Sequence, residues 1–202
     1  MSAASALRTG FDGIVRSEAP ALSRALGDMF QFWKAAGPER YFAKSDEFDQ
    51  QLKTRYMDAY EVVRKEQQLP RDNDAEEHLG MVLLLDQFPR NAFRGSARQY
   101  ESDSLARKWA NISIEKGLDD KIEKDLRTFF YMPFLHSESL ADQDWGVKLG
   151  DKVGDPYLSF AKAHRETIAR FGRFCHRNEV LGRDSTQEEV EYMKVPPEWA
   201  KS

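Results

Sequence analysis

The chain of 202 residues is 41% hydrophobic, 12% aromatic and 32% charged, with a net charge of −4. This composition excludes an intrinsically disordered protein, which lacks the apolar and aromatic side chains needed to offset the entropy of ordering. The negative charge argues against a general nucleic-acid binder, and no apolar run approaches the roughly 20 residues of a membrane span. The single cysteine, Cys175, excludes an internal disulfide and fits a reducing compartment. We therefore expect a soluble cytoplasmic protein with no nucleic-acid or membrane partner.

Residues 1–20 are predicted to be a loosely ordered lead-in, because small residues dominate this segment. Arg8 and Arg16 give it some likeness to a transit peptide. Two acidic residues and the lack of a long apolar run weigh against that interpretation. We expect residues 21–202 to form a single folded domain.

Apolar residues recur at helical spacing through most of the chain, and no stretch alternates long enough to build a sheet. The fold class is therefore predicted to be all-α, with about eight helices. Gly117 is expected to cap one helix, Ser137 to begin another, and Ser185 with Glu188 to form a capping box. A proline, Pro133, is expected to break the fifth helix. In chain order the predicted helices cover residues 21–36, 46–69, 74–88, 96–116, 120–132, 137–149 and 157–171, with a short one from 185.

A first polar cluster follows the third predicted helix, which is apolar nearly all round and should lie at the centre of the fold. Its position draws Asp86 and Gln87 towards the interior. A buried carboxylate needs a partner, because an unpaired one costs several kcal/mol or stays protonated. Arg90 and Arg94 are the nearest candidates, and Asn91 lies between them.

Two further polar clusters lie near residues 136 and 174. His136 and Glu138 are expected at a helix N-terminus, where free backbone N–H groups can receive an anion. Arg170, Arg173 and Arg177 follow at i, i+3 and i+7, so they share one helical face. Between residues 162 and 183 there are six Lys or Arg residues and two Glu residues, a local excess of positive charge in an acidic protein.

At these clusters the sequence resembles the domain-of-unknown-function 924 family, a TPR-like group of bacterial and eukaryotic proteins. The resemblance rests on LLLDQFPRN at 83–91, YMP at 131–133, HSE at 136–138 and RFGRFCHRN at 170–178. Family members usually carry proline at the position of Cys175. The resemblance implies a TPR-like, right-handed helical array and supplies no established activity.

Two interpretations of the polar clusters follow. One is a buried ion network that holds adjacent helices together. The other is a pocket for a small anionic ligand, since the planar guanidinium of arginine suits carboxylate or phosphate. Its candidate catalytic residues are His136 and His176 as proton carriers, with Asp86 and Glu138 orienting them, and its reaction stays open. The candidate ligand-binding residues are Gln87, Arg90, Asn91, Arg94, Arg170, Arg173, Arg177 and Asn178.

No cofactor or metal is expected. The His136-x-Glu138 pair lacks the spacing of a strong metal motif, and no glycine-rich nucleotide loop occurs. The alternative function is a scaffold whose concave helical surface holds a protein partner. A single deep pocket of about 300–1,000 Å³ favours the ligand hypothesis, and dispersal along an open groove favours the scaffold. An Arg177→Ala variant that loses stability and keeps ligand binding would support the ion network.

Overall fold

The computed structural model describes residues 11–65 and 70–200. Within these ranges the chain forms nine α-helices and four short 3-10 helices, with no β-strand, so the predicted all-α class is confirmed. None of these helices is both long enough and apolar enough to cross a bilayer. The helices are α1 (Phe11–Ala36), α2 (Pro38–Tyr41), α3 (Asp46–Arg64), α4 (Ala75–Ala92), α5 (Asp103–Glu115), α6 (Lys124–Leu135), α7 (Leu140–Gly150), α8 (Tyr157–Phe171) and α9 (Gln187–Tyr192).

Helix α4 lies at the centre of the fold, as its apolar sequence predicts. Helices α1, α3, α5 and α6 all pack against it, and its residues from 77 to 89 are buried. Gly80 allows α1 to approach α4 closely, because a Cβ atom there would overlap the backbone carbonyl of Leu26 in α1. The centre of the molecule is therefore a helix with no solvent face, and polar residues at its C-terminal end are forced into the interior.

Helices α6, α7 and α8 pack in succession beside this centre, and the C-terminal segment folds back against α8. Thr167 of α8 lies 3.1 Å from the hydroxyl of Tyr192. Arg173 donates to Glu189 at 2.6 and 2.8 Å. The TPR-like, right-handed arrangement of the helices stays a prediction.

Several helix boundaries differ from those predicted. Helix α1 begins at Phe11, ten residues before the predicted start, and the fourth predicted helix is a 3-10 turn followed by α5. Pro133 does not break α6, and Pro89 likewise lies within α4. Each proline is in the last turn of its helix, so the missing N–H costs one hydrogen bond near a helix end. Residues 1–10 of the predicted lead-in lie outside the described residues, and the division at residue 20 stays a prediction.

Two predicted caps are shifted. Helix α7, predicted to begin at Ser137, begins after Ser139. Ser137 instead accepts a hydrogen bond from the Ser139 N–H at 3.2 Å and donates one to Asp142 at 2.5 Å. The capping box of α9 is formed by Thr186 and Glu189, one residue beyond the predicted pair. The left-handed conformation of Gly117, with φ of 65°, is confirmed. His136 and Glu138 therefore lie in a connection between helices, before the N-terminus of α7.

Candidate functional site

A cavity of about 680 Å³ lies among the C-terminal end of α4, helix α6 and the start of α8. Its volume falls within the usual range for small-molecule sites. The first and second polar clusters of the sequence meet at this cavity. The predicted site residues that line it are Gln87, Arg90, Asn91, Arg94 and His136.

The rest of the cavity wall is mainly apolar and aromatic. The ring of Tyr41 stacks on Trp33 of α1. It also meets the ring of Phe129 edge-on, with the two centroids 5.0 Å apart. Phe42 and Phe160 also line the cavity and remain 66% and 47% exposed. A cavity with polar side chains in one part and aromatic walls elsewhere suits a ligand with a polar end and an apolar body.

The central polar contact joins His136 to Asp86. The His136 Nδ1 atom lies 2.7 Å from Asp86 Oδ1, and Asp86 is 1% exposed. The same carboxylate accepts from Gln87 Nε2 at 2.6 Å and pairs with Arg90 Nη1 at 3.1 Å. Burial alone would raise the pKa of Asp86, but the positive charge of Arg90 and the contact with His136 lower it to about 2. Asp86 is therefore ionised at neutral pH.

His136 is neutral at the same pH. Burial and the positive charge of Arg90 lower its pKa, and they outweigh the opposite effect of Asp86. A neutral ring beside an ionised carboxylate carries its proton on Nδ1, which donates to Asp86. Within the described part of the chain, Nε2 of His136 has no hydrogen-bond partner. That nitrogen is left with a lone pair, in a side chain that lines the cavity.

The two arginines of the first cluster differ in how many of their hydrogen-bond donors are used within the protein. Arg90 donates to both oxygens of Asp103, at 2.8 and 3.1 Å, and to the backbone carbonyl of Asp86. Arg94 uses Nε and Nη2 for Asp49 and Asn91, at 2.6 and 2.8 Å, and no described residue accepts from its Nη1. The guanidinium of Arg90 is therefore hydrogen-bonded to protein acceptors, whereas that of Arg94 still has an N–H group that can donate to a ligand.

Lys124 is a further cation on the cavity that sequence reasoning missed. It is exposed and has no ion pair among residues 11–65 and 70–200. Its position at the first turn of α6 carried no motif that could have marked it.

Seven predicted site residues do not line the cavity. Asp86 lies directly behind His136, as described above. His176 packs near Phe174 and Trp199, and burial together with the charge of Arg177 lowers its pKa to about 4. The others are Glu138, Arg170, Arg173, Arg177 and Asn178. A ligand role for these residues stays a prediction.

Arg177 is held by aromatic rings. Its guanidinium lies 4.3 Å from the ring centroid of Tyr100 and 4.5 Å from that of Phe174, and its Nη1 approaches Asp103 at 3.5 Å. Burial and the charge of Arg90 lower its pKa. Its buried Nε has no hydrogen-bond partner among the described residues, and the choice between the ion-network and ligand-binding interpretations of Arg177 stays a prediction.

The third cluster fastens the C-terminal segment. Arg170 pairs with Glu188 at 2.8 Å, and Arg173 pairs with the buried Glu189. The carboxylate of Glu138 accepts from Arg183 Nη1 at 2.7 Å and from the Phe174 N–H at 2.8 Å. Asn178 similarly bonds Ser185 and Arg183. In the described structure this cluster joins sequence-distant segments, beside the cavity and not within its wall.

His164 and Trp199 complete the cavity wall. His164 is buried, and its Nδ1 lies 2.8 Å from the Phe160 carbonyl. Burial lowers the pKa of His164 to about 3, so its ring is neutral. Trp199 stacks on that ring with centroids 3.9 Å apart. Among the described residues, no group of three or more His, Cys, Asp or Glu side chains is placed to hold a metal ion.

Two carboxyl groups whose pKa values are lowered to about 2, Asp86 and Glu189, predict acid sensitivity. Hydrogen bonds from Arg173 lower the pKa of Glu189 to about 2, the same value as for Asp86. A carboxyl whose pKa is lowered by folding stabilises the native state above its unfolded pKa and loses that effect as pH falls through the folded value. We expect the free energy of unfolding to drop between about pH 4.5 and pH 2, as measured by urea denaturation across this range. A Glu189→Gln variant should show a shallower drop, and identical profiles for the two proteins would contradict the assignment.

Comparison with known proteins assigns the chain to a family. The family described as "Bacterial protein of unknown function (DUF924)" matches residues 29–197. A solved structure, that of the protein of unknown function ATU0120 from Agrobacterium tumefaciens, is similar with 42% identity and a TM-score of 0.82. The similarity covers 87% of this chain and 98% of that chain. No curated protein matches. The chain belongs to the DUF924 family of bacterial proteins of unknown function.

Proposed function

We propose that the cavity binds a small molecule with an apolar body and an anionic end, and that His136 acts on this ligand as a general base. The observation that carries the proposal is the buried Asp86–His136 pair, which leaves a histidine nitrogen with no partner among the described residues beside a 680 Å³ cavity. Arg94 and Lys124 provide the positive charge for the anionic end.

The chemistry follows from the protonation states. Nε2 of the neutral His136 accepts a proton, and the resulting imidazolium is stabilised by the ionised Asp86 at 2.7 Å. A positioned base of this kind contributes roughly 10²–10⁴-fold to a rate. Among the described residues that line the cavity there is no serine or cysteine, so nothing in this wall supports a covalent intermediate on either. His136 would act on a water molecule or on a proton of the ligand itself.

The arrangement gives less support to the scaffold alternative. A groove for a peptide would spread its contacts along an open surface. Here five of the predicted site residues gather in one cavity whose volume fits a small molecule.

The test is a thermal-shift screen of the purified protein against carboxylates and phosphates. A ligand at about 100 times its Kd stabilises the folded state by roughly 2.7 kcal/mol, which is readily measured. We expect the shift from a specific anionic ligand to disappear in Arg94→Gln. The matched control is Arg170→Gln, because Arg170 is exposed, pairs with Glu188 and does not line the cavity.

The variants also separate binding from chemistry. His136→Gln is expected to keep most of the binding and to lose turnover of a substrate once one is identified. A shift that survives Arg94→Gln and is lost in Arg170→Gln would move the site to the third cluster. A screen in which no anion shifts the wild-type protein would overturn the proposal and favour a protein partner.

A further inference from the structure

A second cavity of about 390 Å³, the annex, adjoins the first. It lies between the start of α8 and the C-terminal segment. Asp155, Pro156, Phe160 and Trp199 line both cavities, so the two share a wall. The residues that line the annex alone are Ser159, Ala163 and Pro197.

The annex is apolar in its chemistry. Its two polar side chains bind each other, because Asp155 accepts from the N–H and hydroxyl of Ser159 at 3.0 and 2.6 Å. These hydrogen bonds lower the pKa of Asp155, which is therefore ionised at neutral pH. An anionic group in the annex would meet this carboxylate and, among the described lining residues, no lysine or arginine to offset it, whereas an apolar group would contact proline, alanine and aromatic surfaces.

Much of the shared wall consists of two aromatic side chains. Phe160 is 47% exposed although it borders both cavities, so its ring presents apolar surface that the protein leaves uncovered. An apolar chain that leaves the first cavity across Phe160 and Trp199 would cover this surface and reach the annex. The positively charged side chains of Arg94 and Lys124 line the first cavity and not the annex.

We propose that the annex is a subsite for the apolar tail of a carboxylate ligand. The carboxylate binds near Arg94 and Lys124, and the tail crosses Phe160 and Trp199 to end in the annex. This inference rests on the proposed function and narrows its ligand class to carboxylic acids with an extended apolar chain.

The experiment is isothermal titration calorimetry of the full chain with butanoate, hexanoate, octanoate and decanoate. Each buried methylene contributes about 0.8 kcal/mol, so affinity should rise about four-fold per methylene once the chain reaches the annex. Ala163→Trp fills the annex and is expected to remove this gain while leaving the affinity for butanoate unchanged. Ala169→Trp is the matched control, because Ala169 is an exposed residue of the same helix that lines neither cavity.

The outcomes are distinguishable. An equal chain-length gain in wild type and Ala163→Trp, or no gain in the wild type, overturns the annex subsite and leaves the proposed function intact if short carboxylates bind. Failure of every carboxylate to bind the wild-type protein overturns both. Should Ala163→Trp fail to fold, Ala163→Leu reduces the annex volume less and is expected to reduce the gain in proportion.

Discussion

Replacing Gly80 with alanine is expected to destabilise the protein by about 3 kcal/mol or more. Overpacking a core costs typically 1–3 kcal/mol where a flexible side chain can move aside. At Gly80 the new methyl group would overlap the carbonyl of Leu26, which is backbone, so α1 and α4 must separate. These two helices share the most extensive contact between any two helices of the described structure, and their separation would loosen the core around them. Urea denaturation of the purified variant measures the loss.

The matched control is a glycine of α1 that lies outside this close contact. Gly27 is within α1, and apart from its own turn of the helix no atom of a described residue lies within 4 Å of a Cβ built there. Alanine in an open helical position is about 0.5–1 kcal/mol more favourable than glycine. Gly27→Ala should therefore be neutral or slightly stabilising. Equal effects for the two substitutions would contradict the close approach of the helices at Gly80.

Asp86→Ala is expected to cost about 3–5 kcal/mol, the typical range when one partner of a buried ion pair is removed. Arg90 would keep Asp103 but lose Asp86, and His136 would lose the acceptor of its Nδ1 proton. For a chain of this length, this loss of stability lowers the Tm by about 10 °C. Differential scanning calorimetry measures it directly. The tautomer of His136 is no longer fixed in this variant, so any turnover should fall with the stability.

An exposed ion pair provides the comparison. Asp144 pairs with Arg165 at 2.5 Å, and the side chains of the two residues are 54% and 40% exposed. Surface pairs of this kind contribute about 0–1 kcal/mol, because water and salt screen them. A loss in Asp86→Ala no larger than that in Asp144→Ala would mean that the Asp86 network is not holding α4 and the loop at His136 together.

The amino-acid sequence predicts the helical class and the central helix because both depend on local periodicity. The apolar run in α4 forces Asp86 into the interior, and this alone predicts that it needs a cationic partner. The choice between its partners is a matter of packing. Sequence proximity suggests Arg90 and Arg94, but Arg94 binds Asp49, and His136 is fifty positions away along the chain.

The third cluster shows why spacing alone is insufficient. Three arginines on one helical pattern predict a cationic face for an anion. In the structure the helix ends at Phe171, so Arg173 and Arg177 follow the left-handed turn at Gly172 and separate from Arg170. Each then meets a carboxylate from another segment. Such pairings depend on long-range contacts, which helical periodicity does not encode.

The lining of the main cavity runs from Pro38 to Trp199, and this has a consequence for biosynthesis. Helices near the N-terminus can pack on α4 while the chain is still being made, since domains generally fold as their sequence emerges. The wall at Trp199 is added later, after helices α1 to α9 have been synthesised. A ligand that needs this wall therefore cannot bind while only the earlier helices have folded, and any stabilisation that it provides reaches the chain after residue 199 has been made.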